Sequence, residues 1–244
     1  MHYRPTIDHE VLPRLRPLLR AGDVLLVLAE RKLTSASLPG FWMHAAIYVD
    51  RPDDLERLGI DVRSHLDRHC QAGPADGGPF GRVIEAISPR VTVNPLEKCL
   101  CADHVVVLRP NVSPAELAAA LTEAFGHVGK PYDFEFDFNV STRIVCTELI
   151  YRSFHRRGEI EFTLVKRLGR FTLTGNDIVN QFLDTPATQP APFRLVTLVL
   201  KHSDDRAHFL DAEDALAALR EIRSGLRPTD VPHFASTIPV NSHA

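Results

Sequence analysis

Three side chains of this 244-residue chain are of the types that nucleophilic acyl chemistry needs: Cys146, His44 and Glu85. A thiolate attacks a carbonyl carbon, an imidazole moves the proton, and a third polar group holds the imidazole ring. From about Ile144 the spacing turns helical, and Cys146, Leu149, Ile150 and Ser153 fall at i, i+3, i+4 and i+7 on one face. Asn139, Ser141 and Thr142 are the candidate caps, with Pro131 as a breaker upstream. A cysteine in a first helical turn feels unpaired N–H groups and the positive end of the helix dipole. Both favour the thiolate, which is the nucleophilic form. The plainer reading makes Cys146 a small buried apolar side chain.

The residues that would serve Cys146 lie on predicted strands. The strand Trp42 to Val49 sends His44, Ala46 and Tyr48 to one side and Met43, Ala45, Ile47 and Val49 to the other. Glu85 is embedded in the apolar strand Arg82 to Ile87, where a carboxylate is costly unless paired. If these strands are neighbours, Glu85 can accept from one imidazole nitrogen while the other faces Cys146. The competing reading pairs Glu85 with an arginine such as Arg82 or Arg90.

Val11, Leu15 and Leu18/Leu19 mark a short helix, and Ala21-Gly22 turns into the strand Asp23 to Leu28. Arg31 to Gly40 is a loop. Asp53 to Cys70 is helix-like and polar, and Gly73 to Gly81 is a Gly/Pro-rich loop, so residues 53–81 read as an insertion. Ser88-Pro89 turns into a hairpin partner at Val91 to Val93, and His104 to Arg109 is the next strand. Ser113-Pro114-Ala115-Glu116 is a capping box opening a helix that ends at Gly126 or Gly129. Phe171 to Asp177 offers a further helix start, Phe193 to Leu200 a late strand, and Asp204 to Ile222 an amphipathic helix. Arg227 to Ala244 is a loose tail. The domain division is 1–202 for the main unit and 203–244 for the terminal helix and tail.

The ordered blocks Gly22-Asp23-Val24-Leu25, Trp42-Met43-His44-Ala45-Ala46-Ile47-Tyr48-Val49, Val83-Ile84-Glu85-Ala86, Gly129-Lys130-Pro131-Tyr132-Asp133 and Val145-Cys146-Thr147-Glu148-Leu149-Ile150 resemble the YiiX/YebB-like family. That family belongs to the circularly permuted branch of the NlpC-type papain-like superfamily. His44 precedes Cys146, which is the permuted order. The match runs from Gly22 to Phe154 and leaves the 53–81 insertion and the region beyond Phe193 uncovered. Where the family usually carries Cys-Ser-Glu-Leu, this chain has Cys146-Thr147-Glu148-Leu149.

The resemblance implies an α+β permuted papain-like fold, a curled antiparallel sheet packed on the nucleophile helix. It implies Cys146 as nucleophile, His44 as general base and Glu85 as third member, with hydrolysis of an amide, either a peptide or an acyl-amide. An acyltransferase or thioesterase acting on a lipid or acyl substrate is the alternative, and a binding module of the same fold without turnover is a third reading. Tyr132 is read as an oxyanion-side donor or substrate contact, or as a buried structural tyrosine. Asp23 is read as a ligand for a substrate ammonium, or more simply as a turn residue.

Cys99, Cys101 and His104, with His65, His69 and Cys70 on the insertion, have the right types for zinc, but Cys-x-Cys-x-x-His is not a common zinc spacing. No metal and no cofactor is expected, and no phosphate loop or dinucleotide fingerprint occurs. The run Tyr132 to Phe138 alternates aromatic and acidic residues, suiting either a cleft that selects a cationic group or a half-buried extended segment. A net charge of -3 with scattered basic residues argues against a nucleic-acid surface. No apolar run approaches the roughly 18 residues of a membrane span. The first twenty residues lack a signal-peptide core, and four cysteines do not make a disulfide scaffold, so the expected compartment is the cytoplasm.

Overall fold

The computed structural model describes residues 5–30, 40–49, 52–60, 82–186, 188–202 and 206–225. The Arg31 to Gly40 loop up to residue 39, residues 61–81 of the insertion with His65, His69 and Cys70, and the tail from residue 226 lie outside the described residues.

Seven antiparallel strands form one sheet in the order β4-β3-β2-β1-β5-β8-β9. They are β1 Val24–Leu28, β2 His44–Tyr48, β3 Arg82–Ile87, β4 Arg90–Pro95, β5 His104–Pro110, β8 Phe193–Lys201 and β9 Ala207–Leu210. A separate hairpin pairs β6 Val165–Arg167 with β7 Arg170–Thr172. The sheet is covered on both faces, which explains why its strands read as continuous apolar runs rather than strict alternations. One face carries Val24, Leu26, Ala45, Ile47, Ile84 and Ala86 against the helices Pro114–Gly126, Cys146–Phe154, Gly175–Asp184 and Ala212–Arg223. The other carries Leu25, Val27, Ala46, Tyr48 and Val83 against Leu15 and Leu19 near the N-terminus, Leu96 of the short helix Leu96–Cys99 and Leu100 at its C-cap. The division expected along Trp42 to Val49 is seen for Ala45, Ile47 and Val49 against Ala46 and Tyr48, while Met43 lines the same pocket as His44.

Several boundaries differ from the sequence reading. The cysteine helix is not capped by Asn139, Ser141 or Thr142; it begins at Cys146, and the Glu148 carboxylate accepts the Val145 N–H at 3.4 Å. The Ser113 cap does form, with Glu116 N–H donating to the hydroxyl and Ser113 N–H to the carboxylate. The Phe171 to Asp177 segment begins in the β6–β7 hairpin, and its helix starts only after the Thr174 cap. Asp204 to Ile222 is not one helix: β9 first adds to β8, and Asp211 then caps the helix Ala212–Arg223. The sheet thus continues past residue 202, because Ala207, Phe209 and Leu210 are buried and supply an edge strand.

The cysteine helix is buried almost all round, with Cys146, Thr147, Glu148, Leu149, Ile150, Ser153 and Phe154 all inside. Glu148 is the costly member. Burial raises its pKa to about 7, against the lowering effect of the Arg152 guanidinium, whose Nε donates to it at 2.7 Å. A carboxyl whose folded pKa is raised contributes stability that is full below the unfolded carboxyl range and is lost as pH rises through the folded value. Wild-type melting temperature, relative to Glu148→Gln, should therefore fall between pH 5 and pH 8. Thermal melts of both proteins at the two pH values check this; a pH-independent difference shows that the Arg152 pair dominates instead.

Candidate active site

β2 and β3 are adjacent, with Ala46 opposite Glu85, so His44 and Glu85 emerge on the same face as diagonal neighbours. Their side chains meet: His44 Nε2 lies 2.6 Å from Glu85 Oε2. The Glu85 side chain is 3 % exposed and the His44 side chain 23 %. Burial pushes the Glu85 carboxyl up, but hydrogen bonds from His44 and Asn94 outweigh it and hold the pKa below its usual range. The carboxylate is then acceptor-only, so Nε2 carries the proton and Nδ1 is left to face other partners. Glu85 Oε1 accepts from Asn94 Nδ2 at 2.6 Å, and Lys98 Nζ in turn donates to Asn94 Oδ1 at 3.0 Å. The arginine-paired reading of Glu85 is thus replaced by a His44 and Asn94 pairing.

Cys146, at the start of its helix, packs against β2 and β3. Burial opposes its ionisation, yet the hydrogen bond and charge of His44, with backbone hydrogen bonds from Ala45 and Thr147, bring the thiol below its ordinary pKa. His44 responds in the opposite sense. Burial pushes it down, but Cys146, Cys99 and Glu85 together hold it well above an ordinary imidazole. A second thiol therefore shares the ring. Cys99 is pushed up to about 11 by burial and by the adjacent Glu85 charge. Of the two thiols beside one imidazole, the electrostatics favour the thiolate at Cys146 and oppose it at Cys99.

The His44 strand is also fixed from a distance. The backbone N–H groups of Phe41 and Trp42 donate to Asn176 Oδ1 at 2.8 and 2.9 Å. Gly175 permits that approach, since a Cβ there would sit 2.7 Å from the Trp42 carbonyl oxygen. A Gly-Asn pair at a helix start gives no sequence signal of a partner so far away. Asn94 was legible: a tight turn at Ser88-Pro89 sets Glu85 opposite Thr92, and the side chain two residues on shares its face. The sequence reading missed it.

A pocket of about 560 Å³ opens over the His44–Glu85 pair. His44, Glu85, Cys99, Lys98 and Cys101 contribute its polar part, and Met43, Tyr132, Phe134 and Phe136 much of its apolar wall. Tyr132 packs edge-on against Phe134 at 5.0 Å between centroids, and burial together with the Cys146 charge raises its pKa to about 12. The period-two run thus presents aromatic rings to the pocket rather than carboxylates. Asp133 turns inward, buried, to accept the N–H groups of Glu135 and Asp137, so a carboxylate-lined cation site is not what this segment builds.

Asp23 lies apart from the site. It is fully buried, with its oxygens on Arg109 Nε and Nη2, each at 2.7 Å, and on the Arg20 N–H. A carboxylate saturated in this way is a structural tie between β1 and β5, not a ligand for a substrate ammonium. Among the described residues, Cys99, Cys101 and His104 do not converge: His104 Nε2 is on Glu30 and its Nδ1 accepts from Lys201 N–H. Among the described residues, the group of His, Cys, Asp or Glu ligand atoms that converges is instead His44, Glu85 and Cys99, all within 4.8 Å of one another.

Residues 18–195 match the family described as permuted papain-like amidase enzyme, YaeF/YiiX, C92 family. The chain belongs to this family. Most of the chain is spanned, including both site strands, the cysteine helix and the start of β8, and the permuted papain-like α+β fold follows. No curated protein matches the chain. Among solved structures it is similar to the crystal structure of metalloprotein yiiX from Escherichia coli O157:H7, at 15% identity and a TM-score of 0.43, over 79% of this chain and 96% of that one. No helix among the described residues is long and apolar enough to cross a membrane.

Proposed function

We propose that this amidase-family chain is a cysteine hydrolase in which Cys146 attacks the carbonyl carbon of an amide, His44 carries the proton and Glu85 orients His44. The observation that carries the reading is the 2.6 Å contact of His44 Nε2 with Glu85 on strands against which the Cys146 helix packs, and the lowered thiol and raised imidazole agree with it. The thiolate adds to the carbonyl, and the imidazolium gives its proton to the departing amine as the C–N bond breaks. Water, deprotonated by His44, then attacks the thioester, which releases the acid and restores the thiol. The Cys146 backbone N–H and the Tyr132 hydroxyl are the proposed donors to the developing oxyanion.

The pocket wall supports an apolar acyl group on the substrate. Met43, Tyr132, Phe134 and Phe136 offer dispersion and aromatic contacts, and Phe134 is 68% exposed, so a bound chain would cover it. This same wall favours the acyl-amide form of the reaction over cleavage within a polar peptide. A series of N-acyl amides with a common chromogenic amine tests it. Each added methylene that enters the pocket should raise kcat/KM by roughly fourfold, from about 0.8 kcal/mol per buried CH₂. A flat series, or faster cleavage of charged peptides, rejects the apolar subsite. Adding hydroxylamine or an amino acid as acceptor separates transfer from hydrolysis by the product formed. Labelling of Cys146 without turnover of any member would mark the binding-module reading.

A further inference from the structure

Cys99 is a buried thiol beside the His44–Glu85 pair that the proposed reaction does not use. We infer that His44, Glu85 and Cys99 form a zinc(II) site opening onto the pocket, with a vacant coordination position toward it.

The donor set fits. An imidazole, a carboxylate and a thiolate are the three ligand types that zinc takes, and three protein ligands with an open position is the arrangement of a zinc that binds an exogenous molecule. The candidate ligand atoms lie within 4.8 Å of one another. A tetrahedral zinc at roughly 2.0–2.3 Å from each would space them about 3.3–3.6 Å apart. The His44–Glu85 contact of 2.6 Å must widen on binding, by rotation of two side chains that sit on neighbouring strands. The outer hydrogen bonds that orient metal ligands already exist. Asn94 Nδ2 holds Glu85 Oε1 and leaves Oε2 for the ion, and Lys98 Nζ holds Asn94 Oδ1. All three ligands line the pocket, so the ion has a route from solvent.

Binding to the thiolate–imidazolium form releases two protons to solvent, one from the Cys99 thiol and the one held between His44 Nε2 and Glu85, and the second ring proton stays on Nδ1. His44 then has its lone pair on zinc and can no longer exchange protons with Cys146 and substrate. Zinc occupancy and thiolate turnover exclude each other, so zinc acts as a reversible inhibitor. That consequence rests on the proposed hydrolase reading; the binding itself does not.

The test uses the full chain, stripped with a chelator, and cobalt(II) as a spectroscopic probe. Wild type and Cys146→Ala should each show a saturable thiolate-to-cobalt charge-transfer band at one equivalent, displaced by zinc. Cys99→Ala should lack it, and Cys99→Ser serves the same purpose where the smaller side chain impairs folding. Asn94→Ala should keep the band and bind zinc about 10–100-fold more weakly. The site is overturned by an absent band in wild type, by an unchanged band in the Cys99 variants, or by its loss in Cys146→Ala. A protein that shows the band with cobalt but hydrolyses no amide in its metal-free form refutes the hydrolase reading and leaves the zinc site standing.

Discussion

Replacing Cys146 with alanine is expected to reduce turnover by on the order of 10⁴–10⁶-fold while leaving the fold intact, the loss seen when a nucleophile is removed from a unit that acts together. Reactivity toward iodoacetamide gives the same answer without a substrate. Among the cysteines, Cys146 should alkylate fastest near neutral pH, because His44 and two backbone hydrogen bonds favour its thiolate despite burial. Cys99, pushed up to about 11, holds only about one part in 10⁴ as thiolate at pH 7. His44→Ala should slow the labelling of Cys146. Faster labelling of Cys99 would reverse the assignment of the nucleophile, and an unchanged rate in His44→Ala would remove His44 as its partner. The pH profile of kcat/KM follows from the same pair. The active thiolate–imidazolium form appears as Cys146 loses its proton, below the ordinary thiol range, and disappears as His44 loses its own, above the ordinary imidazole range.

Glu85→Gln is expected to cost about 10²–10⁴-fold in turnover with a correctly folded protein, less than Cys146→Ala. Glutamine keeps the size but removes the charge that holds the imidazolium, and its NH₂ can face Nε2 where only an acceptor fits. Asn94 sharpens the expectation. Its Nδ2 already donates to Glu85 Oε1, so the glutamine must turn its carbonyl toward Asn94 and its amide toward His44. The His44 ring is then driven to the tautomer with the proton on Nδ1, the nitrogen that should accept from the thiol. The His44 pKa should fall, read by NMR titration. Turnover and melting temperature on one preparation separate this from a structural role: unchanged turnover with a lowered melting temperature would leave Glu85 as a packing residue only.

The chain itself determines the elements and the identity of the reacting types. The cysteine helix, the strand of His44 and the strand of Glu85 were readable because burial on two faces forces apolar runs, and polar residues inside such runs stand out. Strand pairing through the Ser88-Pro89 turn even places Asn94, since side-chain alternation has a period of two. What local pattern cannot carry is which distant surfaces meet. Asp23 and Glu85 are both acids on apolar strands, yet one is saturated by Arg109 and the other faces His44, and only the order β4-β3-β2-β1-β5 separates them. Cys99 and Cys101 look equivalent beside His104. Tertiary packing sends Cys99 to the His44–Glu85 pair and ties His104 to Glu30 and Lys201. Likewise β9 hides within an amphipathic stretch, because a short edge strand gains its stability from the neighbour it pairs with rather than from its own sequence.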